Sequence, residues 1–178
     1  MKNHQFSMIK VMDIRENINY IPDKVGVYEW WFSESDAKKL LKCRTNIDVN
    51  RIKKIDFEGE EYWALYFGQA KKESLRKRIN WHVNQEHRTS AIKSGTLSTL
   101  RQTISALTNL DESTSQDTVN NILDGALIKV IEMQPTEIDD YEKQAIQNGY
   151  YPLNIQGNKS VDKEFLKELK SLRKKHKQ

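Results

Sequence analysis

Cysteine is almost missing from this chain: Cys43 is the only one in 178 residues. That excludes an intrachain disulfide and any zinc site built on several thiolates. Histidine is scarce too, and His4, His82, His87 and His176 show no metal-ligand spacing. No apolar run is long enough to cross a bilayer, and the opening stretch MKNHQFSMIKVMDI has no continuous apolar segment of the kind found in a secretion signal. The expectation is a cytoplasmic chain with no membrane partner. Internal repeats, low-complexity linkers and appended zinc-finger or helix-turn-helix modules are all lacking, so residues 1–178 read as a single domain. No long apolar heptad predicts an obligate dimer, so a monomer is expected in isolation.

What the chain does have is unevenly placed charge. Its composition, 37% hydrophobic and 30% charged, is that of a soluble globular chain with a core. The net charge of +4 divides into +5 over residues 159–178 (eight basic, three acidic) and −1 over residues 1–158. Within the latter, residues 69–101 carry eight basic and two acidic side chains, or +6. Basic clusters suit a polyanion such as nucleic acid. For the C-terminal cluster, a solvated lysine-rich tail is the equal alternative.

Hydrophobic patterning gives an α+β chain with a small, mostly antiparallel sheet flanked by helices. VGVYEWWF is apolar on both alternating faces and reads as a strand buried on both sides. A short helix follows, capped by Ser33 or Ser35, and residues 51–68 read as a hairpin turning at Glu58-Gly59. KESLRKRINWHV is helical along Leu75, Ile79 and Val83, and TLSTLRQTISALTNL along Leu97, Leu100, Ile104 and Leu107. DESTSQD is a polar loop, and a short helix then ends at Gly125. ALIKVIEMQ is a strand closed by Pro135, and the next helix is capped by Thr136 and stopped at Gly149. The last helix, over 160–178, is basic, with a stripe of Phe165, Leu169 and Leu172.

Three features resist a purely structural account. Glu142 lies between Ile138 and Ile146 at i−4 and i+4, inside an apolar stripe, where a carboxylate needs a cation or metal unless it reaches the rim. Arg78 and His82, at i and i+4, share one helix row; a guanidinium there can fork onto a phosphate and an imidazole can move a proton, although a solvent-facing row has the same spacing. Asn154 follows a proline in YYPLNIQ, where it either forms a turn, fixes a loop or contacts a phosphate.

Taken in order, these segments resemble the GIY-YIG endonuclease superfamily. Gly26-Val27-Tyr28 and Tyr66-Phe67-Gly68 match its two signatures. LRKRINWH places Arg78 and His82 at the family's arginine and its frequent histidine or tyrosine. Glu142 matches the late glutamate and Asn154, twelve residues on, the asparagine. The resemblance covers residues 24–156, with residues 33–60 as an insertion between the tyrosine strands.

This resemblance implies hydrolysis of a phosphodiester bond in DNA with one divalent metal per active site, Mg2+ or Mn2+, held by Glu142. It implies that Arg78 grips the scissile phosphate, with Arg76 as a competitor for that role. Tyr28 would orient and deprotonate the attacking water, with His82 as the rival proton acceptor. Tyr66 would contact the phosphate or order the water, and Asn154 would hold the loop or a phosphate. Lys71, Lys72, Arg76 and Arg101 are candidates for further nucleic-acid contacts. One set of site residues can cut one strand at a time, so a double-strand break implies two successive nicks or a dimer assembled on DNA. Two other readings remain: a non-catalytic nucleic-acid-binding domain of the same fold, and an interaction protein whose C-terminal helix docks a partner.

Overall fold

A computed structural model describes residues 6–41 and 46–177. His4 and Cys43 lie outside the described residues. All eight residues of strand β2 (Gly26–Ser33) are buried, as its unbroken apolar pattern requires. Around it a five-stranded sheet forms in the order β1-β5-β2-β4-β3, antiparallel throughout. The other strands are β1 (Phe6–Lys10), β3 (Lys54–Phe57), β4 (Glu60–Ala70) and β5 (Leu127–Glu132). The two-residue turn between β3 and β4 is Glu58-Gly59, with φ of 55° and 82°. Positive φ at both positions matches the right-handed strand twist of a tight hairpin.

The described residues form eight α-helices: α1 (Val11–Glu16), α2 (Glu34–Leu41), α3 (Leu75–Asn84), α4 (Thr89–Ser94), α5 (Thr99–Leu107), α6 (Gln116–Asp124), α7 (Pro135–Asn148) and α8 (Lys163–Lys175). Alternation along β2 divides the core in two. Tyr28, Trp30 and Phe32 face a large cluster with Leu75, Ile79, Ile104, Val119 and Phe165 from the helices. Val27 and Trp31 face a second cluster, to which Ile138 and Ile146 of α7 contribute.

Several local expectations are corrected. Thr136 is not a cap: Pro135 occupies the first turn of α7, where its missing N–H costs nothing, and Gln134 precedes it. The C-terminal residues are not a solvated tail. Asp162 caps α8 by accepting from Glu164 N and Phe165 N, and Phe165, Leu166 and Leu169 are buried in the main core. β1 and α1 were not foreseen. The exposed-to-intermediate burial of β1 carries little periodic signal, and its pairing with β5 defines it.

Two local devices position the residues of interest. Trp30 pairs with Tyr66 while Trp31 pairs with Ala64, so Leu65 is an extra residue in β4. This bulge turns Tyr66 onto the same face as Leu65, against the cluster that holds Tyr28. Gly68 pairs with Tyr28, and a Cβ there would stand 2.5 Å from the Tyr28 ring. The Tyr28 ring therefore lies across a strand that only glycine leaves open.

Candidate active site

Tyr28 leaves the centre of the sheet and meets His82 on α3, with Tyr28 Oη 2.8 Å from His82 Nε2. His82 Nδ1 lies 2.6 Å from Ser98 Oγ, which also accepts from the backbone N–H of Arg101 at the start of α5. His82 is 1% exposed, and burial, helped by the positive charges of Arg78 and Arg101, depresses its pKa to about 3. It is a neutral imidazole with both ring nitrogens engaged. Burial raises the Tyr28 phenol well above its usual range, with the Tyr66 ring and Glu142 adding to the rise and Arg78 opposing it. Tyr66 packs edge-on to His82, with ring centroids 6.2 Å apart, and its hydroxyl is 3.3 Å from Thr99 Oγ1.

The two candidate arginines separate clearly. Arg76 donates Nε to Ile21 O at 2.9 Å and lies 4.0 Å from Asp23, so it fastens the loop before β2. Arg78 acts on the charge balance of Tyr28, Tyr66 and His82. It stacks over Trp81, 5.1 Å from the ring centroid, and its Nε is 2.7 Å from Glu73 Oε1. The four-residue step to His82 puts Arg78, and not Arg76, beside the tyrosines.

Glu142 reaches the same place from α7. Burial raises its pKa, the Gln69 side chain hydrogen-bonds to it and lowers it, and nearby Asp139 raises it again. Gln69 Oε1 is buried with no donor. A half-buried carboxylate beside an unsatisfied amide oxygen is a hard oxygen donor set, which suits Mg2+, an ion that usually keeps several waters. Among the described residues no group of three or more His, Cys, Asp or Glu could hold a metal. Any ion here would therefore rest on Glu142 with few protein ligands.

Asn154 is engaged on both ends: its Oδ1 accepts from Phe67 N and its Nδ2 donates to Phe67 O, each at 2.8 Å. Together with the bond from Leu153 N to Leu65 O at 3.0 Å, it serves as a partner for the edge of β4 beyond the reach of β3. Its geometry is that of a positioning residue for Tyr66.

Arg101 is corrected. It is 0% exposed and cannot line a surface. Its guanidinium donates to His82 O at 2.6 Å, Val83 O at 2.5 Å and Asn120 Oδ1 at 2.9 Å, capping the C-terminal carbonyls of α3. Burial lowers its pKa to about 10, so it remains a cation at neutral pH. Lys71 is paired with Asp139 at 2.5 Å, and Lys72 is exposed.

Sequence reading missed Ser98, Thr99, Gln69 and Glu73. Ser98 had one visible signal, a serine three residues before Arg101 that marks a helix N-cap. The others owe their place to packing between elements.

A cavity of about 920 Å³ opens beside Tyr66. Glu142, Thr99, Thr103 and Asn154 line it, together with Lys143, Lys159, Lys170 and Arg173. A family model described as GIY-YIG catalytic domain matches residues 26–175. Neither the curated proteins nor the solved structures gave a match.

Proposed function

Since the chain belongs to the GIY-YIG catalytic-domain family, we propose that it is an endonuclease that uses one divalent metal to hydrolyse phosphodiester bonds in DNA. One observation carries this reading. Tyr28, Tyr66, His82, Arg78 and Glu142, drawn from two strands and two helices, influence one another's charge beside a cation-lined cavity. Perturbed ionisable groups gathered in this way are typical of catalytic sites.

Tyr28 orients the attacking water and passes its proton toward His82, which lies within hydrogen-bond reach. Burial and the nearby arginines keep His82 neutral and make it a weak base, so it takes the proton only when the negative phosphate stands beside it to offset the imidazolium, while Ser98 holds its other nitrogen. Arg78 releases Glu73 to grip the scissile phosphate, where a guanidinium matches the charge that grows on the non-bridging oxygens. Tyr66 contacts the phosphate. Glu142, with Gln69 beside it, would hold the metal. Bound there, Mg2+ or Mn2+ would supply positive charge to the phosphate oxygens and cancel the upward push of Glu142 on the Tyr28 phenol.

A second reading, DNA binding without cleavage, draws on the Arg78–Glu73 ion pair, which occupies the phosphate-gripping group. Supercoiled plasmid separates the two. With Mg2+ or Mn2+, a monomer with one site should accumulate nicked circles before linear product at low enzyme concentration. Linear product should then rise more steeply than in proportion to enzyme. Linearisation with no nicked stage would point to a preformed dimer. Retarded plasmid that is never cut with either metal would leave the binding module.

A further inference from the structure

The cationic part of the cavity lining has no use in this chemistry. Of its lining residues, Lys143, Lys159, Lys170 and Arg173 are cations and Glu142 is the only acid, a net +3 (four minus one). The three lysines are exposed and, among the described residues, lie in no ion pair. Arg173 differs from them. It is half-buried on α8, donates Nη2 to the neutral Gln102 Oε1 at 2.5 Å, and keeps a buried Nε with no acceptor. Its charge reaches Tyr66.

The buried Glu112 carboxylate is near enough for its charge to act on Arg173, yet the Nε donor stays unmet, and a guanidinium held partly out of water in this way is unfavourable unless a further acceptor completes it. Arg173 and Lys170 sit one helical turn apart on α8 and face the cavity together. Lys159 enters from the loop before α8, and Lys143 from α7 next to Glu142. Thr99 and Thr103, one turn apart on α5, add hydroxyl donors between them and Tyr66. The result is a set of donors that shares one cavity with Tyr66 and Glu142 of the candidate active site.

We propose that this cationic lining is a subsite for the DNA backbone flanking the scissile phosphate. Arg173 forks onto one neighbouring phosphate, Lys170 and Lys159 neutralise the next, and the strand leaves the site between α7 and α8. The proposal rests on the nuclease reading for the identity of the polyanion. It makes α8 part of the substrate site as well as part of the core.

Binding measured without divalent metal tests it apart from cleavage. Fluorescence anisotropy of a labelled duplex, followed across salt concentration, counts phosphate contacts, because each one released changes the slope of log K against log salt by about 0.9. Lys159→Gln with Lys170→Gln should flatten the slope by about two contacts, so that affinity falls about tenfold less between about 50 and 200 mM salt. The comparison variant, Lys39→Gln with Lys175→Gln, removes the same charge from exposed positions outside the cavity and should leave the slope unchanged. Arg173→Ala should remove one further contact, and Arg173→Lys should keep the slope while weakening affinity through loss of the fork. If Arg173→Ala does not fold, the lysine pair decides alone. Equal slopes for the cavity pair and the comparison pair would overturn the proposal, as would a cavity pair indistinguishable from wild type. DNA binding with the expected slopes but no cleavage would overturn the nuclease reading and leave this subsite standing.

Discussion

Tyr28 and Glu29 are neighbours on one strand and face opposite cores, and the two polar clusters they begin are built on different terms. Glu29 is 4% exposed and is answered from within the protein. Lys53 Nζ lies 3.0 Å from its Oε1, the Tyr151 hydroxyl donates to the same oxygen, and Lys129 stands 3.9 Å from the other. The charge is met by charge, and the cluster ties the middle of β2 to the segment before β3 and the segment after α7. On the Tyr28 side the buried rings of Tyr28 and His82 are neutral, and apart from Arg101, which the carbonyls of α3 hold, the charges that approach them have incomplete partners. Among the described residues no cation forms an ion pair with Glu142. Arg78 is ion-paired to Glu73 and stacked on Trp81, and Arg173, though the charge of Glu112 reaches it, keeps one buried donor without an acceptor. A cluster whose charge is met by opposite charge serves the fold, even though Glu29 Oε2 is left without a hydrogen bond, whereas one that leaves charge unmet is prepared for a ligand.

Glu142→Gln gives the sharpest test of that division. Cleavage in Mg2+ should fall by about 10³-fold or more, the scale of several kcal/mol of lost charge stabilisation, while metal-free DNA affinity stays at the wild-type level or rises. Equal cleavage by the variant would remove Glu142 from the metal site.

Arg78→Ala should lower turnover by about 10²–10³-fold, as expected for a lost transition-state contact. Arg76→Ala should leave turnover close to wild type and cost about 1 kcal/mol of stability through the lost bond to Ile21 O. Plasmid cleavage and thermal melts of the two variants, side by side, check the assignment. The reverse pattern would mean that the row containing His82 is not the reacting one.

On the other face, Glu29→Gln should lower stability by about 1.5–3 kcal/mol, the range for hydrogen bonds to a charged group, discounted for the half-exposed Lys53. Cleavage per folded molecule should not change. Normal stability with lost cleavage would break the comparison by making both faces functional.

The smallest effect is on pH. His82 titrates near its ordinary 6.5 when unfolded and at about 3 when folded. The unfolded chain therefore takes up the proton first, and stability is full above about pH 6.5 and declines as the pH falls toward about 3. His87 is shifted in the same direction by burial and adds to the decline. Melting temperatures should drop between about pH 7 and pH 5, and His82→Gln should show a shallower drop than wild type. A parallel pair of curves would mean that His82 is not held neutral.

Much of this was legible along the chain because local physics decides it. Helical periodicity set Leu75, Ile79 and Val83 inward, and the same 3.6-residue repeat put Arg78 and His82 in one row. Glu58-Gly59 announced the hairpin because both positions need positive φ. The order of the motifs from Gly26 to Asn154 was enough to indicate the family. Strict alternation, however, would have sent Tyr66 to the face opposite Leu65, and only the bulge in β4, set by its register against β2, returned it to Tyr28. The fate of polar side chains was equally hidden. Arg101 is buried because the end of α3, nineteen residues away, offers it carbonyls, and Asn154 is taken up by a strand edge eighty-seven residues away. Arg173 lines the cavity because α8 folds back onto α5, where Gln102 holds it. Which polar group is structural and which is left for a ligand depends on partners met only in three dimensions, since burial is costly for any charge and only the fold decides which ones find an answer.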